Sequence, residues 1–146
     1  MRLLILEDSE TDQVLMQAAI ARYATSCSVT FVSKLGDVEQ YVDGADVVVV
    51  DLMLEDSSPE QTIAWIAKCE KPVVVYSGST DPELIRQCAE AGALNFITKR
   101  CPLEQLLAGV EFAFHESEIQ NGLRLKRREK LSALMEVIKT FREGKT

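Results

Sequence analysis

The stretch Val47-Val48-Val49-Val50 constrains this chain more than any other. Four valines in a row show no alternation of apolar and polar residues. Such a run suits a strand buried on both faces, as in a parallel sheet covered by helices. It ends in a carboxylate, Asp51, at the point where the strand leaves the sheet. In open α/β sheets the ligand crevice lies outside the carboxyl ends of the strands, so the neighbours of Asp51 become the question.

Five short apolar runs alternate with five helical stretches, the pattern of a doubly wound α/β domain. The first strand spans about Arg2 to Leu6 and ends in Glu7-Asp8. Ser9 or Thr11 caps the helix that follows, whose apolar positions are Val14, Leu15, Ala18, Ala19 and Ile20. Cys27 to Val32 alternates and reads as a more exposed strand. Leu35, Val38, Tyr41 and Val42 form a short helix closed by Asp43-Gly44. Ser58-Pro59-Glu60 opens the next helix, with Ile63, Ile66 and Ala67 inward. Val73 to Tyr76 is the fourth strand and ends at Ser77. Asp81-Pro82 opens a helix closed by Gly92, Leu94 to Ile97 is the last strand, and Pro102 opens a helix that runs into the tail.

Composition narrows the class. No apolar run approaches the ~20 residues of a membrane span, and no secretory leader is evident. Cys27, Cys69, Cys88 and Cys101 have no metal-ligand spacing, which points to free thiols in a reducing, cytoplasmic setting. Residues 1–120 hold 8 Lys+Arg and 20 Asp+Glu, net -12, whereas residues 121–146 hold 8 and 3, net +5. Nucleic-acid binding by the body is not expected.

The strand ends carry the chemistry. Glu7, Asp8 and Asp51 converge on one sheet edge with the hydroxyl of Ser77 and the ammonium of Lys99. Three carboxylates in one crevice repel one another unless a cation joins them, and an all-oxygen set suits Mg²⁺. A hydroxyl and an ammonium beside them would hold phosphoryl oxygens. The arrangement reads as an aspartate that accepts a phosphoryl group.

These residues, together with Ala91-Gly92-Ala93-Leu94-Asn95-Phe96-Ile97-Thr98-Lys99, resemble the receiver domain of bacterial response regulators over residues 1–116. The resemblance implies a flavodoxin-like five-stranded parallel sheet of order 2-1-3-4-5. It implies that Asp51 takes a phosphoryl group from the phosphohistidine of a histidine kinase or phosphotransfer protein. Asp8, Asp51 and the backbone carbonyl of Met53 would bind Mg²⁺ directly, and Glu7 through water. Ser77 and Lys99 would contact the phosphoryl group, Ser77 and Phe96 would shift together as a switch, and Met53 and Ser79 would tune loss of the group. No enzyme activity is expected beyond the chain's own phosphoryl transfer and dephosphorylation.

Three features depart from that family. Lys99-Arg100-Cys101-Pro102 lacks a proline directly after the lysine, so no cis peptide is expected there. The loop Glu55-Asp56-Ser57-Ser58-Pro59 adds two acids expected to lie near the site. Ser77 replaces the commoner threonine. These changes keep open a degenerate receiver that docks partners or dimerises without being phosphorylated. An aspartate-nucleophile phosphatase needs a second acid two residues after the nucleophile, and that position is Met53.

His115-Glu116 lacks kinase-like surroundings, and Arg124 to Lys130 reads as a solvated helix face. Beyond it, Leu131, Leu134, Met135, Ile138 and Phe141 restore an apolar stripe, with Asn121-Gly122 as an expected weak point. Residues 117–146 are therefore expected to be a helical extension that pairs with a second copy. The alternative is a tail folded back on its own acidic body. No output domain is expected within these residues.

Overall fold

A computed structural model describes residues 1–144. Five parallel strands, β1 (Arg2–Leu6), β2 (Ser28–Val32), β3 (Val47–Val50), β4 (Val73–Ser77) and β5 (Asn95–Thr98), form one sheet. Their order is β2-β1-β3-β4-β5, as the resemblance to receiver domains implies. The helices are α1 (Glu10–Tyr23), α2 (Glu39–Val42), α3 (Pro59–Lys68), α4 (Pro82–Ala91) and α5 (Leu103–Arg142).

All four valines of β3 are buried, each contributing roughly 1.5–3 kcal/mol by leaving water. Successive residues of a strand point to opposite faces, so the central strands feed two cores. Leu4, Leu6, Val48, Val50, Val73 and Val75 pack with Val38, Ile66 of α3 and Cys88 of α4. Leu3, Ile5, Val47, Val49, Val74 and Tyr76 pack with Met16 and Ile20 of α1 and with Leu106, Val110 and Ala113 of α5. The first ends of β1 and β3 are pinned together by polar groups. The Arg2 backbone N–H donates to Asp46 Oδ2 at 2.7 Å, and its guanidinium lies 3.2 Å from Asp46 Oδ1.

Helix starts follow their side chains. Ser9 caps α1 by accepting the Asp12 N–H, Ser58 and Gln61 form a reciprocal capping box on α3, and Asp81 caps α4. Gly92 ends α4 with φ of 108°, a left-handed conformation that favours glycine.

Several expectations fail in instructive ways. On α1 the inward residues are Met16, Ala19 and Ile20, whereas Val14, Leu15 and Ala18 are exposed. Ala67 of α3 is exposed too. The stretch 35–42 is a 3-10 turn (Leu35–Asp37) followed by the single turn of α2. Asn121-Gly122 does not interrupt α5, which is unbroken from Leu103 to Arg142. One glycine costs only about 1 kcal/mol in a helix interior, too little to break so long a run.

The chain divides into two compact units, Met1–Phe114 and the residues from His115 on. In the second unit Leu131, Leu134, Met135, Ile138 and Phe141 are all exposed on helix. No helix among the described residues is long and apolar enough to cross a membrane.

Candidate functional site

The carboxyl ends of β1 and β3 set the acidic residues side by side. The Asp51 N–H donates to the Leu6 carbonyl at 3.1 Å, which continues the β1–β3 ladder one step past the strand. Glu7 and Asp51 are both buried there, and Asp8 is half-buried. One carboxylate oxygen from each of Glu7, Asp8 and Asp51 lies within 4.8 Å of the others, a spread that one hydrated divalent ion bridges.

Lys99 enters from the end of β5. Its backbone N–H donates to the Ser77 carbonyl at 2.9 Å. Its ammonium donates to Glu7 Oε1, to Asp12 Oδ2 at 2.7 Å and to Asp51 Oδ2 at 2.8 Å. It also lies 5.8 Å from the centre of the Tyr76 ring, within range of a cation–π attraction. Burial alone would make the ammonium easier to deprotonate, but the hydrogen bonds to Asp12, Asp51 and Glu7 outweigh it and hold Lys99 more firmly charged than a free lysine.

Glu7 behaves oppositely. Burial raises its carboxyl to about 7, with the charge of Asp51 pushing the same way and Lys99 pulling against them. Asp51 is fixed on both oxygens, because Oδ1 accepts the Met53 N–H at 3.0 Å. Asp8 Oδ2 accepts the Glu55 N–H at 2.8 Å, which ties the loop after β3 to the end of β1.

Ser77 is fully buried, and its Oγ accepts the Ser79 N–H at 3.4 Å. Ser79 Oγ in turn accepts the Asp81 N–H. Phe96 stands opposite Val75 in the β4–β5 register, half-buried against the core on the α3 and α4 side. The Met53 side chain is exposed, leaving its backbone as the part held at the site.

Two residues were not singled out from the sequence. Asp12 reaches Lys99 from the first turn of α1; its spacing of four from Asp8 and its place beside the Ser9 cap were the available signal. Tyr76 underlies Lys99 from β4 and offered no signal beyond its place before Ser77. Asp56, expected to add charge near the site, instead accepts the backbone N–H groups of Leu35 and Gly36 at 3.0 and 3.1 Å. Those two bonds hold its carboxyl below the usual range. His115 is exposed, with Nδ1 3.9 Å from Glu118 Oε2. No cis peptide occurs among the described residues.

A parallel sheet of this order, with an acidic cleft at its carboxyl edge and a lysine beside the central aspartate, defines a receiver-type α/β protein. The response regulator receiver domain family matches residues 3–111, and the chain belongs to it. The two-component response regulator ORR8 of Oryza sativa subsp. indica is 27% identical over 103 residues, covering 66% of this chain and 84% of the relative. Among solved structures, a signal receiver domain from Vibrio parahaemolyticus aligns with a TM-score of 0.74 at 20% identity, covering 84% of this chain and 95% of that one. A CheY-like receiver domain protein from Methanospirillum hungatei JF-1 aligns at 0.71 and 17% identity, covering 82% and 97%. At these identities the structures show the shared fold.

Proposed function

We propose that the chain is the phosphoacceptor of a two-component phosphorelay, with Asp51 receiving a phosphoryl group from the phosphohistidine of a histidine kinase or phosphotransfer protein. The observation that carries this reading is the Asp51 carboxylate held at a buried strand end, with Lys99 Nζ at 2.8 Å and the oxygens of Glu7 and Asp8 within 4.8 Å. An Asp51 oxygen bonds to phosphorus as the bond from phosphorus to the donor imidazole breaks. The imidazole nitrogen leaves with the electron pair and takes up a proton. The Met53 N–H and the Lys99 ammonium fix the plane of the carboxylate, so it meets the donor in one orientation.

The donor set fits Mg²⁺, a hard ion that takes oxygen ligands and keeps several waters. Asp8, Asp51 and the Met53 carbonyl would hold it directly. Glu7, with its oxygens facing Lys99 and the Ser9 N–H, suits a contact through water. When bound, the ion supplies positive charge beside the acceptor oxygen. Ser77 and Lys99 would hold the phosphoryl oxygens, Ser77 and Phe96 would move together as the switch, and Met53 and Ser79 would set the lifetime of the group. The only catalysis is the chain's own phosphorylation and dephosphorylation, and the setting is cytoplasmic, where its four cysteines stay reduced.

Residues 117–146 serve as a helical extension to a receiver of residues 1–116, and they pair with a second copy. Leu131, Leu134, Ile138 and Phe141 stand at alternating spacings of three and four, all exposed, which is the seam of a coiled coil. A matching seam is what another copy of the chain supplies.

Intact mass after incubation with acetyl phosphate and Mg²⁺ tests the acceptor. A gain of one phosphoryl group, absent in Asp51→Asn, is expected. No gain together with unchanged partner binding would support a receiver that acts by docking alone. Sedimentation of the full chain against residues 1–116 tests the pairing. Two monomers at micromolar concentration would rule it out, and salt-sensitive protection of the tail in hydrogen exchange would then point to the fold-back.

A further inference from the structure

We infer that Asp12 is a positioning residue: it latches the Lys99 ammonium in the unmodified chain and releases it when a phosphoryl group arrives at Asp51. The inference rests on the phosphoacceptor reading and adds a competitor to it.

An ammonium has three N–H donors. In this chain all three are spent, on Glu7, Asp12 and Asp51. No donor of Lys99 is therefore spare in the unmodified chain; modification of Asp51 frees the one that its carboxylate holds, but the ammonium can turn fully onto the phosphoryl oxygens only by drawing away from Glu7 or Asp12. Burial decides which. The side chain of Glu7 is 1% exposed and that of Asp51 6%, against 32% for Asp12. Freeing Glu7 would leave a buried side chain without its partner and out of reach of water. Asp12, once released, is met by solvent.

The helix does not depend on the bond. The Asp12 backbone N–H is capped by Ser9 Oγ at 3.2 Å, whatever its carboxylate does. Tyr76 supports the ammonium from beneath throughout. A phosphoryl group carries more charge and more acceptor oxygens than one carboxylate, so it wins the donor. The Lys99–Asp12 attraction thus stabilises the unmodified state alone and opposes phosphorylation by that amount.

The test is beryllofluoride affinity in excess Mg²⁺, followed by titration calorimetry on the full chain. Asp12→Asn is nearly isosteric and should bind about two- to five-fold tighter, the scale of one half-exposed ion pair. Asp12→Glu, which restores the competing charge, should return to the affinity of the unaltered chain. Glu10→Gln removes an exposed acid from the same turn, with no bond to Lys99, and should change affinity much less. An Asp12→Asn effect no larger than that of Glu10→Gln, or a weakening, overturns the latch. If Asp12→Asn is tighter but Asp12→Glu is tighter still, the competition is not one for Lys99 and the latch also fails. No binding by the unaltered chain removes the phosphoacceptor reading, and this inference with it.

Discussion

The backbone N–H of Lys99 donates to the carbonyl of Ser77 across 2.9 Å, so the ammonium and the hydroxyl proposed to meet the phosphoryl group hang from adjacent points of one ladder. The two side chains face different duties in the unmodified chain: Ser77 is sealed in the core, whereas Lys99 neutralises three carboxylates.

Lys99→Met leaves Glu7, Asp12 and Asp51 without their shared cation. The metal-free variant should lose about 2 kcal/mol or more of stability, because breaking a largely buried pair strands charge. It should still bind Mg²⁺, since the ion draws on the carboxylates of Glu7, Asp8 and Asp51 and not on the ammonium. Urea unfolding with and without Mg²⁺ measures both, and a fall in Mg²⁺ affinity would remove Lys99 from the place given to it.

Asp51→Asn should abolish phosphoryl uptake and keep the fold. The amide still accepts the Met53 N–H, and one charge leaves a crowded acidic cleft. Intact mass and thermal unfolding read the two outcomes separately.

Glu7 gives the metal-free chain a pH signature. Its folded value, raised by burial to about 7, lies above its ordinary value of 4.5, so the folded state holds the proton more tightly. That contribution is fully present below about pH 4.5 and is lost as pH rises through about 7, up to roughly 3 kcal/mol by linkage. Glu7→Gln mimics the protonated form, so its stability relative to the unaltered chain should climb across this window. Urea midpoints from pH 4.5 to 8 show the divergence, and parallel curves would contradict it.

Asp56→Ala should cost about 1 kcal/mol, the usual worth of a side-chain cap on backbone N–H groups. The loss should be local, with amide protection falling at Leu35 and Gly36 but not in β3. Its depressed carboxyl puts this contribution above the ordinary aspartate range, and it is lost as pH falls through the lower folded value.

What the sequence made legible was periodic or punctuated. The valines of β3, the capping pair at Ser58-Gln61 and the glycine after α4 each carry their reason locally. The members of the acidic cleft were readable because each ends a strand. Asp12 was not, because its role depends on a lysine 87 positions away. Asp56 misled for the same reason: its partners are amides of another loop, and an amide has no signature in a sequence. On α1, Met16 took the inward place from Val14 and Leu15, since the side facing the sheet is set by how the helix docks and not by how many apolar residues it offers.

The clamp between Arg2 and Asp46 carries a consequence for how the chain finds this arrangement. Within the run, identical side chains do not tell one alignment from another: all four valines pair with Leu3 to Leu6, and only the aspartates at its two ends mark a slip of β3 against β1. Yet each slip would carry Asp51 out of reach of Glu7. The valine run cannot detect that error, but the aspartate before it can, because Asp46 meets the Arg2 N–H and guanidinium at one offset only. Asp46 thus works as a stop on a ruler, and the acceptor five residues on is placed by a residue at the opposite edge of the sheet. Loss of the Arg2–Asp46 pair removes that stop and leaves the placing of Asp51 to the contacts at its own end of the strand.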